Sequence, residues 1–269
     1  MKPQSALNIP SQIKLPNVRK LFLPKRNHVL LDVDLSGADA QVVAWESQDE
    51  DLKSAFKAGL NIHNHNGKTI WGDLYTIDGK RPGAKYSMRD ECKRAVHATN
   101  YGTSARTLAA TLGWKTGEAE NFIGRWLRKL HPQIGEWHNR VDYALKTTRT
   151  ITNQFGYRIV YFDRVDALLP TALAWTPQST VGLVCAKGGI NLYKNIPWAE
   201  MLLQVHDSLV FQIPTHRFTP NNMEVIRQHL SVEVPYPNDP LLIPWECSYS
   251  LKSWGEVEKM KWSMEGLKL

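Results

Sequence analysis

Apolar residues come in two rhythms along this chain, short dense runs and longer stretches at helical spacing. The run "HVLLDVDLS", which starts at His28 and ends in acids, predicts a strand over 28–34. The next stretch, "GADAQVVAWESQDEDLKSAFKAG", is helical on either side of the polar "SQDED", so two helical pieces are expected, with Gly59 as the stop. From 61 to 88 Gly, His and Asn are frequent and periodicity is weak, which suits short helices and loops. Helical spacing returns in "RDECKRAVHATNYGTSARTLAATL" and predicts one helix over 89–112 that runs through Gly102 and ends at Gly113. Two further helices follow in "GEAENFIGRWLRKL" and "PQIGEWHNRVDYALKTT", the second with Pro132 placed to start it.

Beyond residue 150 the pattern is mixed. "TITNQFGYRIVYF" predicts two short strands around Gly156, and 176–193 predicts a helix. "LLQVHDSLVF" reads as a hairpin, with strands 202–205 and 209–213 and His206, Asp207 and Ser208 at the bend. A late helix is expected in "NNMEVIRQHLSVEV" and an edge strand in "LLIPWECSYSLKSWG". An early strand, a mostly helical middle and mixed elements afterwards give an α+β class, a sheet platform carrying a helical insert. No internal repeat or low-complexity tract is evident.

Composition narrows this picture. The 269 residues are 42% hydrophobic, enough for a sizeable core and against disorder as the default. A formal charge of +7 and a pI near 9.2 favour a polyanionic partner such as nucleic acid. Cys92, Cys185 and Cys247 are far apart and form no CxxC pair, which argues against a disulfide framework or a cysteine-rich zinc site and fits an intracellular compartment. The proline-interrupted start lacks a signal-peptide centre and no 18-residue apolar run occurs, so a soluble protein without membrane partners is expected.

The candidate chemistry lies in two aspartates. Asp34 and Asp207 each end an apolar strand, where the backbone can fix a carboxylate firmly. Two Mg²⁺ ions about 3.5–4 Å apart need such shared oxygen ligands. Spacing alone leaves a second reading open, two ordinary turn aspartates facing water.

Ordered motifs add to this. "DVDLSGADAQVVAW", "CKRAVHATNYG" and "QVHDSLVFQIP" resemble the first palm motif, the fingers-helix motif and the last palm motif of the family A DNA polymerases, the group typified by bacterial polymerase I and several phage enzymes. Weaker similarities run through "NIP" at Asn8, "VRKLFLP" at Val18, "NIH" at Asn61, "TPQST" at Thr176 and the terminal "SLKSWGE", all in the family's order. The resemblance implies a polymerase palm with an antiparallel sheet over 1–60 and 151–269, and a mostly helical fingers subdomain over 61–150. It implies template-directed DNA synthesis with two Mg²⁺ ions, or Mn²⁺ as a substitute, held by Asp34, Asp207 and the backbone carbonyl of Leu35. Primer-template DNA and dNTPs are the implied partners, in the cytoplasm or nucleoid, or in a host's cytoplasm if the chain is phage-encoded.

Lys93, His97 and Tyr101 stand four residues apart and share one helical face. By resemblance Lys93 and His63 meet the triphosphate, with His65 close by, while His97 stands near the phosphates and Tyr101 at the sugar and base. Asp39 takes the place of the family's glutamate that crowds the sugar 2′ position; its other reading is a helix cap. Gln178 matches a minor-groove contact, Arg158 a phosphate contact or a plain exposed arginine, and His206 a residue that orients the primer or bonds across its own turn. The chain departs from the family at His97 for lysine, Lys93 for arginine, Asp39 for glutamate, "TSAR" for a pattern ending Tyr-Gly, and Ser208 for glutamate. With His97 in place of an ammonium, Lys93 and Arg94 are expected to carry more of the phosphate attraction. Basic clusters "RWLRKLH" and "KTTR" receive no individual role.

The resemblance begins inside the palm, without the thumb or exonuclease features found upstream in the family, so the expectation extends to a fragment or split subunit whose partner is a separate thumb-containing or N-terminal polymerase chain. Alternatives are a noncatalytic DNA-binding or assembly fragment, a template-directed RNA polymerase, and a metal-dependent nuclease, which would leave the fingers-helix face unexplained.

Overall fold

A computed structural model describes residues 18–162 and 164–265. The "NIP" segment at Asn8 lies outside the described residues. In chain order the elements are β1 (His28–Leu35), α1 (Ala38–Ser47), α2 (Glu50–Lys57), α3 (Ile62–Trp71), α4 (Met88–Asn100), α5 (Ala105–Leu112), α6 (Thr116–Arg125), α7 (Pro132–Thr147), β2 (Thr150–Thr152), β3 (Arg158–Val160), α8 (Leu169–Asn195), β4 (Glu200–Val205), β5 (Ser208–Pro214), α9 (Pro220–Leu230), β6 (Glu233–Val234), β7 (Leu241–Leu242), β8 (Trp245–Ser250) and β9 (Glu258–Met260). The class is α+β. No helix among the described residues is long and apolar enough to cross a membrane.

The chain divides into two compact units, one holding the described residues up to Asp34, Lys187–Ser231 and those from Trp245 onward, the other Leu35–Ala186 and Val232–Pro244. The first is built on a five-stranded sheet of order β4-β5-β1-β8-β9, in which the β4/β5, β5/β1 and β8/β9 pairs are antiparallel. Side chains alternate across a strand, so β1 sends Val29, Leu31 and Val33 to one face, all fully buried, and Leu30, Asp32 and Asp34 to the other. On that second face Leu30 and Val210 pack under Trp254, leaving the acids beyond the apolar end. Gly188 of α8 permits close approach to α9, because a Cβ there would stand 2.8 Å from the Leu230 carbonyl oxygen.

The second unit is mostly helical. Ala95 of α4 packs with Leu108, Ala109 and Leu112 of α5 and Ala119 of α6. Ser87 and Ser104 cap α4 and α5, each accepting a hydrogen bond from the amide three residues on.

Three expectations need correction. The helix expected over 89–112 is two helices, because Gly102 adopts a left-handed φ of 69° and Ser104 then caps α5. The helix expected from 176 begins at Leu169 and carries Pro177 in its interior. The strand expected at an edge, β8, lies between β1 and β9.

Candidate functional site

In the sheet unit, β1 and the β4/β5 hairpin present their carboxylates to one cavity of about 300 Å³. Asp34 pairs across the ladder with Ser208, and the two-residue turn His206-Asp207 precedes that position. His206 takes a left-handed φ of 55° at the turn, a conformation more usual for glycine. Ser208 donates through Oγ to the Val205 carbonyl at 3.0 Å. The cavity is also lined by Asp32, Glu246, Lys259 and Arg19. Lys259 Nζ pairs with Glu246 at 2.7 Å, and Trp254 Nε1 donates to Asp32 at 2.7 Å.

Asp34 stands open at the strand end yet crowded. Its pKa is pushed up to about 7, first by lost hydration and then by the Asp207, Asp32 and Glu246 carboxylates, against the pull of Lys259. Four carboxylates in one pocket form an all-oxygen donor set, the chemistry that suits a hard divalent cation such as Mg²⁺. Sequence reasoning missed Asp32, Glu246 and Lys259. A signal for Asp32 was there: two residues before Asp34 on a strand means the same face.

In the helical unit, Asp39 of α1, His63 of α3, and Lys93, His97 and Tyr101 at and after α4 line one cavity of about 60 Å³. The i, i+4, i+8 face is therefore assembled, with the His97 and Tyr101 rings 4.6 Å apart and steeply inclined. Burial first, then the Lys93 and Arg89 charges, pushes His63 down to about 4, so it is neutral near pH 7. Burial also lowers His97, with Asp39 opposing and Lys93 reinforcing. The Tyr101 hydroxyl is held well above its usual range by burial and by the Asp39 carboxylate. His65, by contrast, bonds Asp51 at 3.1 Å, and Arg94 stacks its guanidinium 4.3 Å from the Tyr86 ring centre.

Arg158 and Gln178 are exposed, on β3 and α8 respectively, and belong to neither cavity. Near Arg158 in sequence, Tyr157 and Phe162 are also exposed, and Tyr157 stacks on Trp175 with ring centres 6.1 Å apart. Leu35 closes β1 directly after Asp34.

A separate group in the helical unit can also coordinate one metal ion. Ligand atoms of Asp49, Asp51 and His131 lie within 4.8 Å of one another. Hydrogen bonds already engage it, since Asp49 caps α2 by accepting from the Leu52 amide at 3.0 Å and bonds His131 Nδ1 at 3.0 Å.

Comparison with known proteins agrees with the motif order. The sequence profile described as DNA polymerase family A matches residues 6–256. DNA polymerase I of Helicobacter pylori is 29% identical over 252 residues, which is 90% of this chain and 27% of the relative. The DNA polymerase of Mycobacterium phage D29 is 27% identical over 257 residues, 94% of this chain and 40% of that protein. Among solved structures, the POL domain of Pol1 from M. smegmatis, in complex with DNA primer-template and dNTP, superposes with a TM-score of 0.77 at 21% identity, over 93% of this chain and 44% of that one. The chain thus spans 27%, 40% and 44% of the length of these three proteins.

Proposed function

The chain belongs to DNA polymerase family A, and from that membership we propose that it catalyses template-directed DNA synthesis, transferring a nucleotidyl group from a dNTP to a primer 3′-hydroxyl. The observation that carries the reading is the cavity into which Asp34, at the end of β1, and Asp207, in the β4/β5 turn, bring two of four carboxylates.

Asp34 and Asp207, with the Leu35 carbonyl, are the groups that would hold Mg²⁺ or a substituting Mn²⁺. Bound there, two such ions would make the primer hydroxyl more acidic and stabilise charge on the departing pyrophosphate. The chain's own residues do the rest. His206, fixed by its turn, orients the primer strand next to Asp207. Lys93 brings a full positive charge to the triphosphate. Neutral His63 and His97 offer hydrogen bonds there, a weaker attraction than the family's lysine provides. Tyr101 and Asp39 meet the sugar, and the shorter Asp39 leaves the 2′ position less crowded than a glutamate would. Arg158 and Gln178 contact the nucleic acid backbone and minor groove. In this reading 61–150 acts as the fingers and the flanking segments as the palm, and the firm grip on duplex DNA comes from a thumb-containing segment or chain.

Single-nucleotide extension of a labelled primer-template with Mg²⁺, supplied with dNTPs and with rNTPs, tests the proposal. The expected result is extension with a dNTP preference, lost in both D34A and D207A. Extension that survives both substitutions would sink it, and folded protein that binds DNA without extending it would favour a noncatalytic binding fragment.

A further inference from the structure

Glu246 reaches the Asp34–Asp207 cavity from the side of β1 opposite the β4/β5 hairpin. β8 lies next to β1, and the Ser36 amide donates to the Pro244 carbonyl at 2.9 Å, which sets the first residues of β8 beside the last of β1. Alternation along β8 buries Cys247 on one face and turns Glu246 and Ser248 to the other, where both line the cavity. On the β5 side, Ser208 stands across from Asp34, carries no charge and donates its hydroxyl to the Val205 carbonyl. A carboxylate beyond Asp34 and Asp207 therefore comes from Asp32 of β1 or from Glu246 of β8.

These two acids are held differently. Asp32 accepts from the indole of the buried Trp254 at 2.7 Å, a bond fixed by the core beneath it. Glu246 pairs with Lys259 Nζ at 2.7 Å, and the two side chains are 50% and 81% exposed. Lys259 belongs to β9, where it stands opposite Ser248 and reaches Glu246 diagonally. An exposed lysine–carboxylate pair is weak, because water screens both charges and the long lysine side chain loses freedom in making it. A divalent cation has twice the charge of an ammonium and prefers oxygen ligands, so it displaces lysine from such a pair. The cavity lining also sets four carboxylates against the Lys259 ammonium and the Arg19 guanidinium.

We infer that Glu246 is a third carboxylate ligand for a divalent metal in this cavity, released by Lys259 when the ion binds. The inference rests on the reading of the cavity as the metal site of the proposed reaction.

Mn²⁺ titration of the full chain without nucleotide or DNA, followed by the electron paramagnetic resonance signal of the free ion, tests it. Every sample carries D51N, so that the Asp49, Asp51 and His131 group does not add to the binding. E246Q is expected to weaken Mn²⁺ about tenfold. K259M is expected to tighten it about threefold, since the ion no longer competes with an ammonium, and to do so less once Glu246 is already glutamine. E246D separates a ligand from a charge acting at a distance, because it keeps the charge and draws it back by one methylene; a ligand loses affinity with that change. E246Q within about twofold of the D51N parent, E246D equal to that parent, or K259M binding more weakly would overturn the inference. D34N is the reference: if it abolishes Mn²⁺ binding while E246Q leaves it intact, only the Glu246 inference fails. If D34N has no effect either, the metal reading of the cavity fails with it.

Discussion

His206 sits in a backbone conformation that a side chain with a Cβ disfavours by about 1–2 kcal/mol. That strain sits next to Asp207, where a rigid turn serves a ligand better than a relaxed one would. His206→Gly is therefore expected to leave Tm at or above the wild-type value while slowing primer extension about tenfold, as shown by paired melts and extension rates. A fall in Tm would mean that the imidazole supports the hairpin instead. His63 gives a pH signature. Its folded pKa near 4 lies below the ordinary value of 6.5, so as pH falls from 6.5 toward 4 the unfolded chain takes up a proton that the folded chain refuses. Folding stability should drop over that window, and His63→Gln should flatten the drop, as read by urea unfolding at pH 7 and pH 5. At this scale the sequence made Asp34, Asp207 and the Lys93 face legible, because strand ends and helical spacing are local signals. Glu246 and Lys259 were not legible, because cross-strand neighbours depend on the whole fold.

Among the elements, α8 is the one that local reading misjudged most. Pro177 looks like a helix start, yet the helix extends eight residues before it, as far as Leu169. The Pro177 ring nitrogen carries no hydrogen and cannot donate the bond that a residue inside a helix normally gives, while the buried Leu173 and Val181 on either side pack the helix across that gap. Further along, Gly188 lets α8 meet the end of α9, so Gly188→Ala must displace backbone rather than a flexible side-chain tip. A loss of roughly 1–3 kcal/mol in urea unfolding is expected, and an unchanged midpoint would show that the two helices can separate without penalty. The break between α4 and α5 was written in the chain as a glycine followed by a serine cap. It was hidden by strong helical spacing on both sides. The interior position of β8 was not readable at all, since β9, which covers its outer side, has only three residues and a charged sequence.

For the molecule as a whole, the net charge of +7 suits a polyanionic partner such as nucleic acid, and the chain belongs to DNA polymerase family A. Two groups of carboxylates could each hold a cation, the Asp34–Asp207 cavity of the sheet unit and the Asp49, Asp51 and His131 group of the helical one. In the proposed function the first carries the reaction. In the second, Asp49 is committed to a helix cap and a histidine, and Asp51 to His65. The most direct measurement is the rate of single-nucleotide extension in Mg²⁺ by D207N beside D51N, both against the wild type. D207N is expected to lose about 10²-fold or more, and D51N to keep the wild-type rate. A D207N enzyme that extends normally while D51N does not would contradict it.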